Sequence, residues 1–419
     1  MSNITERSII EKCMLIFGFF APAPIISFFS ITAYVWFLMI VLLSILLYSF
    51  KYKLIISRKF DKIYLLYAMA VVVSTVICAR RMEKDWKVDL VTLSIQFLAV
   101  LIIYVFLDGI NDSKLPMAFV KGVYVSAVVQ MIWGYLQIFF YFIHIDLNSL
   151  IFEKILHMYT GEASQISETW GIKVSAFCWN AGNFAPLMIF GYVFSKNIYL
   201  KLMFICISIV SGSRTLMIGM IICICTKLIR KLFVREKLSY RQCIILSTII
   251  ILMISFCLIN SDMVIDKIEK SANLLNVIKN YSTEGSTNTH ARYLLEVGNI
   301  TEKNDLLSNL FGYGPGCSGY AFVKWFDFYS NIGKWSIECD YINCLWNYGY
   351  IGAILYYIWL LKNMIKCKKI DGNYIILFIT FLIMGFMYNI TFNWVLLLYI
   401  MMFVLAKEKA SIFEISKRK

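Results

Sequence analysis

Charged residues are scarce in this chain of 419 residues. Asp, Glu, Lys and Arg make up 16% of it, against about 25% in soluble globular proteins. Hydrophobic residues make up 60%, whereas soluble domains contain about 45–50%. Apolar runs of about 18–20 residues, the length needed to cross a bilayer, recur along most of the chain. The composition excludes a soluble globular protein and predicts an integral membrane protein.

Proline and paired cysteine motifs are also scarce. There are only five prolines, and no Pro-rich linker, low-complexity segment or internal repeat divides the chain. None of the twelve cysteines forms a CxxC pair, which argues against a zinc or redox motif. We therefore expect neither a cofactor nor a metal ion. Cys317 and Cys339 fall in one predicted outer loop and are able to pair, although nothing in the sequence requires it.

The formal net charge of +14 does not indicate a nucleic-acid-binding protein. Such binding needs a compact domain with a basic groove, and no soluble stretch of this chain offers one. Cytoplasmic loops of membrane proteins are enriched in Lys and Arg. We assign the excess charge to such loops and expect no nucleic acid partner.

The apolar runs predict an all-α polytopic membrane protein with about twelve transmembrane helices, because helices satisfy their own backbone hydrogen bonds in lipid. The predicted spans are 11–29, 31–50, 63–79, 90–107, 118–143, 181–195, 199–212, 215–229, 243–260, 341–361, 374–389 and 391–406. The chain then forms one integrated domain with three parts, namely N-terminal helices (1–260), a large and partly helical outer loop (261–340), and C-terminal helices with a tail (341–419).

Basic loops predict the orientation of these spans. Segments 51–62, 227–241 and 362–371 carry many lysines and arginines and few acids. With twelve spans, all three lie on the same side as both termini, which the positive-inside rule makes cytoplasmic. The long connections 144–180 and 261–340 then lie outside.

One predicted outer segment, 80–89, departs from this rule because it contains Arg80 and Arg81. Either a span is miscounted, or an outward-facing cationic cluster serves an anionic ligand.

Arg214 lies within the sequence SGSRT, between two apolar runs. Ser213 and its neighbours allow a tight turn, and the following helix begins with free backbone N–H groups. A helix N-terminus with an arginine is suited to bind phosphate oxygens. The alternative is an arginine that extends its side chain to the membrane surface.

Arg292 precedes a predicted helix of the largest outer loop, close to His290. A cation at a helix N-terminus is mildly unfavourable, so an anion for it to hold would explain its position. An ordinary surface charge is the alternative. The sequence LFGYGPG then follows. It lacks the lysine of a nucleotide-binding loop and precedes aromatic residues rather than a helix start. We expect a turn with positive φ, in which Gly314 is able to approach a ligand closely.

Glu338 and Asp340 stand at the predicted outer mouth of span 341–361. They are either solvated carboxylates at a helix start or include a general base for a sugar hydroxyl. Residues two apart on a helix face nearly opposite ways. Asp340 shares a helix face with Asn343 and Asn347, a polar stripe that we expect to point into the bundle. Asp340 is therefore the preferred base, with Glu338 in reserve.

Four features in order, the SGSRT tip, Arg292, the LFGYGPG turn and the sequence DYINCLWNYGYIG, resemble the bacterial O-antigen polymerase and O-antigen ligase superfamily. They extend over residues 207–352, about a third of the chain. The resemblance implies a fold like that of the lipid-dependent, GT-C-like membrane glycosyltransferases, located in the bacterial inner membrane. It also implies a substrate, an oligosaccharide on undecaprenyl diphosphate, handled at the periplasmic face.

The resemblance further assigns roles to residues. Arg214 and Arg292 correspond to arginines that hold the diphosphate. The ligase branch has a histidine–asparagine pair where this chain has Glu338 or Asp340, and the missing histidine favours a polymerase. A chain-length regulator protein is an additional partner of this type of enzyme. A ligase and a lipid-linked glycan flippase or transporter are the alternatives, and a transporter is expected to show inverted repeats and broken helices near the membrane midplane.

Overall fold

A computed structural model of the chain describes residues 2–29, 31–52, 61–79, 97–107, 114–158, 166–167, 171–233, 296–325, 337, 339–370, 372–386, 388 and 400–406. These residues are mostly helical, which confirms the predicted helical class. The predicted span 243–260 lies outside the described residues.

The described residues contain fourteen α-helices, one π-helical segment and two short hairpins. The helices are α1 (Ser2–Phe20), α2 (Ala33–Tyr52), α3 (Lys62–Ala79), α4 (Phe97–Leu107), α5 (Lys114–Phe142), α6 (Ala181–Phe194), α7 (Ile198–Val210), α8 (Arg214–Phe233), α9 (296–303), α10 (Leu306–Phe311), α11 (Ser318–Trp325), α12 (Asp340–Ile370), α13 (Gly372–Met384) and α14 (400–406). A π-helical segment covers Ser149–Ile155. The antiparallel hairpins pair β1 (Ser27–Phe28) with β2 (Ile31–Thr32), and β3 (Ile166–Ser167) with β4 (Gly171–Ile172).

Among the described helices, α2 and α5 are long and apolar enough to cross a bilayer by length and composition, and α12 is so only when the residues on both sides of Gly349 are counted together. The first predicted span, 11–29, had the wrong C-terminal boundary. Helix α1 ends at Phe20 and a turn follows, because Pro22 and Pro24 cannot continue a helix.

Helices α1 and α5 run side by side in the same direction and cross at two glycines. A Cβ atom on Gly18 would collide with the Phe119 carbonyl, and one on Gly122 would collide with the Leu15 carbonyl. Small residues at such a crossing allow the two backbones to touch, as is common between helices in membranes.

The basic segments meet in one half of the bundle. Lys362 Nζ forms an ion pair with Asp61 Oδ1 at 3.0 Å, which joins the end of segment 51–62 to the start of 362–371. The Arg230 guanidinium lies directly against Gly372, which brings segment 227–241 to the same half.

Helix α12 is not one straight span. Gly349 has φ 65° and ψ −176° within it, which breaks the helix. The rings of Tyr341 and Tyr357 stack with centroids 5.4 Å apart, although a continuous helix would separate these residues by about 24 Å. The chain therefore folds back at Gly349. A short arm, residues 340–348, lies beside the long arm, residues 350–370, so the prediction of a single straight span over 341–361 was wrong.

Candidate functional site

The break at Gly349 removes the intrahelical partners of the carbonyl groups that precede it. The turn between α10 and α11 replaces them. The Tyr313 N–H donates to the Trp346 carbonyl at 2.7 Å, and the Gly314 N–H donates to the Asn347 carbonyl at 2.8 Å. The Ser74 hydroxyl of α3 donates to the same Asn347 carbonyl at 3.0 Å. Buried polar backbone groups need such partners, so turn, arm and α3 are held together here.

Glycine is required on both sides of this contact. Gly312 (φ 73°) and Gly349 (φ 65°) both have positive φ, and their backbones touch, since a Cβ on Gly312 would lie 2.5 Å from the Gly349 nitrogen. Gly314 (φ 95°) and Gly316 (φ 76°) also have positive φ, which confirms the predicted turn.

The helix α11 begins at Ser318, directly after this turn. This corrects the expectation that no helix start follows the turn. The turn still lacks the lysine of a nucleotide-binding loop.

The predicted polar stripe of α12 is buried. Asp340, Asn343 and Asn347 expose 1%, 2% and 3% of their surfaces, which confirms that this face points into the protein. The Asn347 side chain accepts the Ser318 N–H at 2.7 Å and donates to Asn343 Oδ1 at 3.2 Å. Asn343 Oδ1 also accepts the Ser318 hydroxyl. The stripe thus contacts the start of α11 through both asparagines.

Asp340 meets the end of α13. Its N–H donates to the Gly385 carbonyl at 2.8 Å, and its Oδ2 lies 3.1 Å from the position of a Cβ on Gly385. The Tyr341 hydroxyl donates to the Leu382 carbonyl at 2.6 Å. The short arm therefore caps carbonyl groups that α13 leaves unpaired at its end, and the Asp340 carboxylate fits because residue 385 has no side chain.

The preceding residue, Cys339, shares a buried apolar cluster with Cys317. Both are free thiols. Burial raises the pKa of the Cys339 thiol above its usual value. Hydrogen bonds from the backbone N–H groups of Ile342 and Tyr341 lower it in part, and the nearby Asp340 carboxylate raises it.

The structure confirms a tight turn between α7 and α8. Gly212 has φ 67°, and the Ser213 hydroxyl accepts the Leu216 N–H at 3.2 Å as an N-cap. This bond uses one of the backbone N–H groups that we expected to be free to bind an anion. Helix α8 begins at Arg214; the Arg214 side chain lies outside the described part.

Arg214 and Asp340 belong to the same half of the bundle. Helices α8 and α13 pack antiparallel, because Arg230 lies against Gly372 while Gly219 lies against Met384. Asp340 lies beside Gly385, which is about 20 Å from Gly372 along α13. Arg214 lies about 24 Å from Arg230 along α8. Both positions are thus far from the contact between Arg230 and Gly372 and differ by only about 5 Å in height.

Five predicted site residues lie outside the described residues, namely Arg80, Arg81, His290, Arg292 and Glu338. Sequence reasoning missed Ser74, Ser318 and Gly385. A lone serine in an apolar helix gives no signal of a distant partner, and Gly385 gains its importance only because α12 folds back.

No family model matches this chain, and no curated protein matches it either.

Proposed function

We propose that this protein is a membrane glycosyltransferase that polymerises lipid-linked repeat units. It transfers a growing glycan from undecaprenyl diphosphate to a sugar hydroxyl of a second lipid-linked unit at the periplasmic face. The observation that carries the proposal is the buried carboxylate of Asp340, held on a polar arm in the half of the bundle that contains the end of α13 opposite Arg230. Under the positive-inside rule this half faces the periplasm, as expected of a protein with twelve spans.

The chemistry needs two kinds of group. A diphosphate is a good leaving group once its charge is stabilised, and Arg214 and Arg292 serve this purpose in a site of low dielectric constant. The attacking hydroxyl needs a base and close positioning, which is the role of Asp340. Because Asp340 is almost wholly buried, the acceptor reaches it only when the short arm or its neighbours move.

Transport of the lipid-linked glycan is the second candidate function. The break of α12 at Gly349 and the end of α13 beside Asp340 are broken-helix features that transporters use around their substrates. Such a transporter would move the glycan past the Asp340 arm rather than extend it. A ligase remains an alternative within the same superfamily.

A deletion strain separates these functions. Surface glycan that carries single repeat units without a ladder supports the polymerase. Long glycan that stays on the lipid carrier indicates a ligase, and lipid-linked single units confined to the cytoplasmic leaflet indicate a flippase. Complementation with the wild-type chain and with Asp340→Asn then tests whether the carboxylate is required. Normal ladders in the deletion strain would contradict the proposal.

A further inference from the structure

Asn347 joins more structural elements than any other residue of the polar stripe. Its side chain bonds the start of α11 and Asn343, at 2.7 and 3.2 Å. Its carbonyl accepts one hydrogen bond from the turn at Gly314 and another from Ser74 of α3, at 2.8 and 3.0 Å. The residue is 3% exposed, so water does not compete for these bonds.

The break at Gly349 gives these bonds their importance. A continuous helix fixes the direction of its first turns through its own hydrogen bonds, but the helical hydrogen bonds of the short arm are interrupted at the glycine. Its orientation must come from lateral contacts. At the far end of the arm, Asp340 bonds Gly385, and at the near end Asn347 bonds the turn and α11.

We infer that Asn347 is a positioning residue for Asp340. Its side chain fixes the short arm, residues 340–348, to the start of α11 at Ser318, beside the bonds that its backbone carbonyl makes with the turn and α3. It thereby sets the place of the carboxylate about 10 Å away along the arm. This inference rests on the proposed transfer at Asp340. A displacement of about 1 Å at a reacting group can lower a rate about a hundredfold.

The chain supplies a matched control in Asn363. It lies on the long arm of the same helix and is equally buried, at 2% exposure. Its amide donates to the Trp359 carbonyl at 2.9 Å, a bond within its own helix. Asn347→Ala and Asn363→Ala therefore remove the same buried amide. Only the first removes a side-chain bond to another element, the bond to Ser318, and both variants keep their backbone carbonyl bonds.

The test uses the full-length protein in nanodiscs with the lipid-linked repeat unit isolated from the deletion strain. Asn347→Ala is expected to lower kcat about a hundredfold, with little change in KM for the acceptor, and to increase hydrogen exchange in residues 339–348 and 312–318. Asn363→Ala is expected to change neither. Ser318→Ala, which removes only the hydroxyl bond to Asn343, is expected to fall between the two.

Three results for Asn347→Ala would overturn the inference. The first is unchanged hydrogen exchange of the arm. The second is increased exchange with a kcat for transfer equal to that of Asn363→Ala, and the third is an increase in KM with kcat unchanged. Absence of transfer by the wild-type protein would instead refute the proposed function and the catalytic part of this inference, and the exchange comparison would still decide whether Asn347 holds the arm.

Discussion

The amide of Asp340 donates a hydrogen bond to the carbonyl of Gly385 at 2.8 Å, so the start of one helix caps the end of another inside the protein. Asp340 is only 1% exposed there. This contact exists because α12 reverses at Gly349, which returns its short arm to α13. The sequence placed this carboxylate at the start of a straight span on a face that points into the bundle; the structure confirms that face and adds the contact with the end of α13.

Replacement of Gly349 should disrupt this reversal. Gly349→Ala places a side chain at positive φ and against the Leu310 carbonyl, which should lower the free energy of unfolding by at least about 2 kcal/mol. Gly298→Ala is the control, since a Cβ there meets nothing within 4 Å and α9 should tolerate or favour alanine. Thermal unfolding in detergent measures both. Equal unfolding temperatures for the two variants would contradict the assigned strain at Gly349.

The two carboxylates of the predicted site should not be equivalent. Asp340→Asn should abolish glycan transfer and leave binding of the lipid diphosphate largely intact, because the arginines hold the donor. Asp305→Asn is the control, since an amide oxygen can still accept the Ser308 N–H that Asp305 caps at 2.9 Å. Glycan ladders and lipid binding are the measurements. If Asp340→Asn polymerises normally and Glu338→Gln does not, Glu338 occupies the position of the ligase histidine–asparagine pair, and the role assigned to Asp340 on the buried stripe is wrong.

The two arginines should act as anion binders. Arg214→Ala and Arg292→Ala should each lower polymerisation about a hundredfold, as expected for loss of a preorganised charge. Replacement with lysine should restore little polymerisation, because an ammonium group does not reproduce bidentate phosphate binding. Arg230→Ala, at the other end of α8, should retain ladders. Normal ladders from Arg214→Ala at matched protein level would assign that arginine to the membrane surface instead.

Orientation is testable by chemical labelling. Single cysteines placed beside Lys231 and Lys366, in a variant without native cysteines, should react only after the inner membrane is permeabilised. Cysteines at positions 157 and 173 should react in intact spheroplasts with an impermeant maleimide. The ion pair of Lys362 with Asp61 places two of the basic segments in one half, so opposite labelling of segments 51–62 and 362–371 would contradict the fold as well as the orientation.

Asp146 should make stability depend on pH. Burial raises its pKa, with smaller lowering effects from the backbone N–H groups of Ser149 and Asn148. Because the folded-state pKa is above the unfolded value of about 3.9, its favourable contribution is present below that value and is lost as pH rises through the folded-state pKa.

Asp146→Asn keeps an oxygen for the Ser149 N–H, which donates at 3.1 Å, and removes the charge. The variant should therefore unfold at a higher temperature than wild type at pH 7.5, with little difference at pH 4. An equal difference at both pH values would exclude ionisation as the cause.

The sequence by itself determined the helical class, most described helix positions and the polar face of α12. Apolar run length and a spacing of three and seven residues are local signals, and they predict the structure correctly because they reflect backbone geometry and burial. The positive φ of the glycines in LFGYGPG was likewise predictable from the local sequence.

Tertiary structure decided that α12 folds back, that Asp340 meets Gly385 and that Asn347 bonds Ser74 and Ser318. An apolar run that contains glycine gives no sequence signal to show whether the helix continues or reverses. The helix reverses only if another segment supplies hydrogen bonds to the carbonyl groups that the break exposes. Here the turn at 312–318 supplies them, and only the folded chain brings it there.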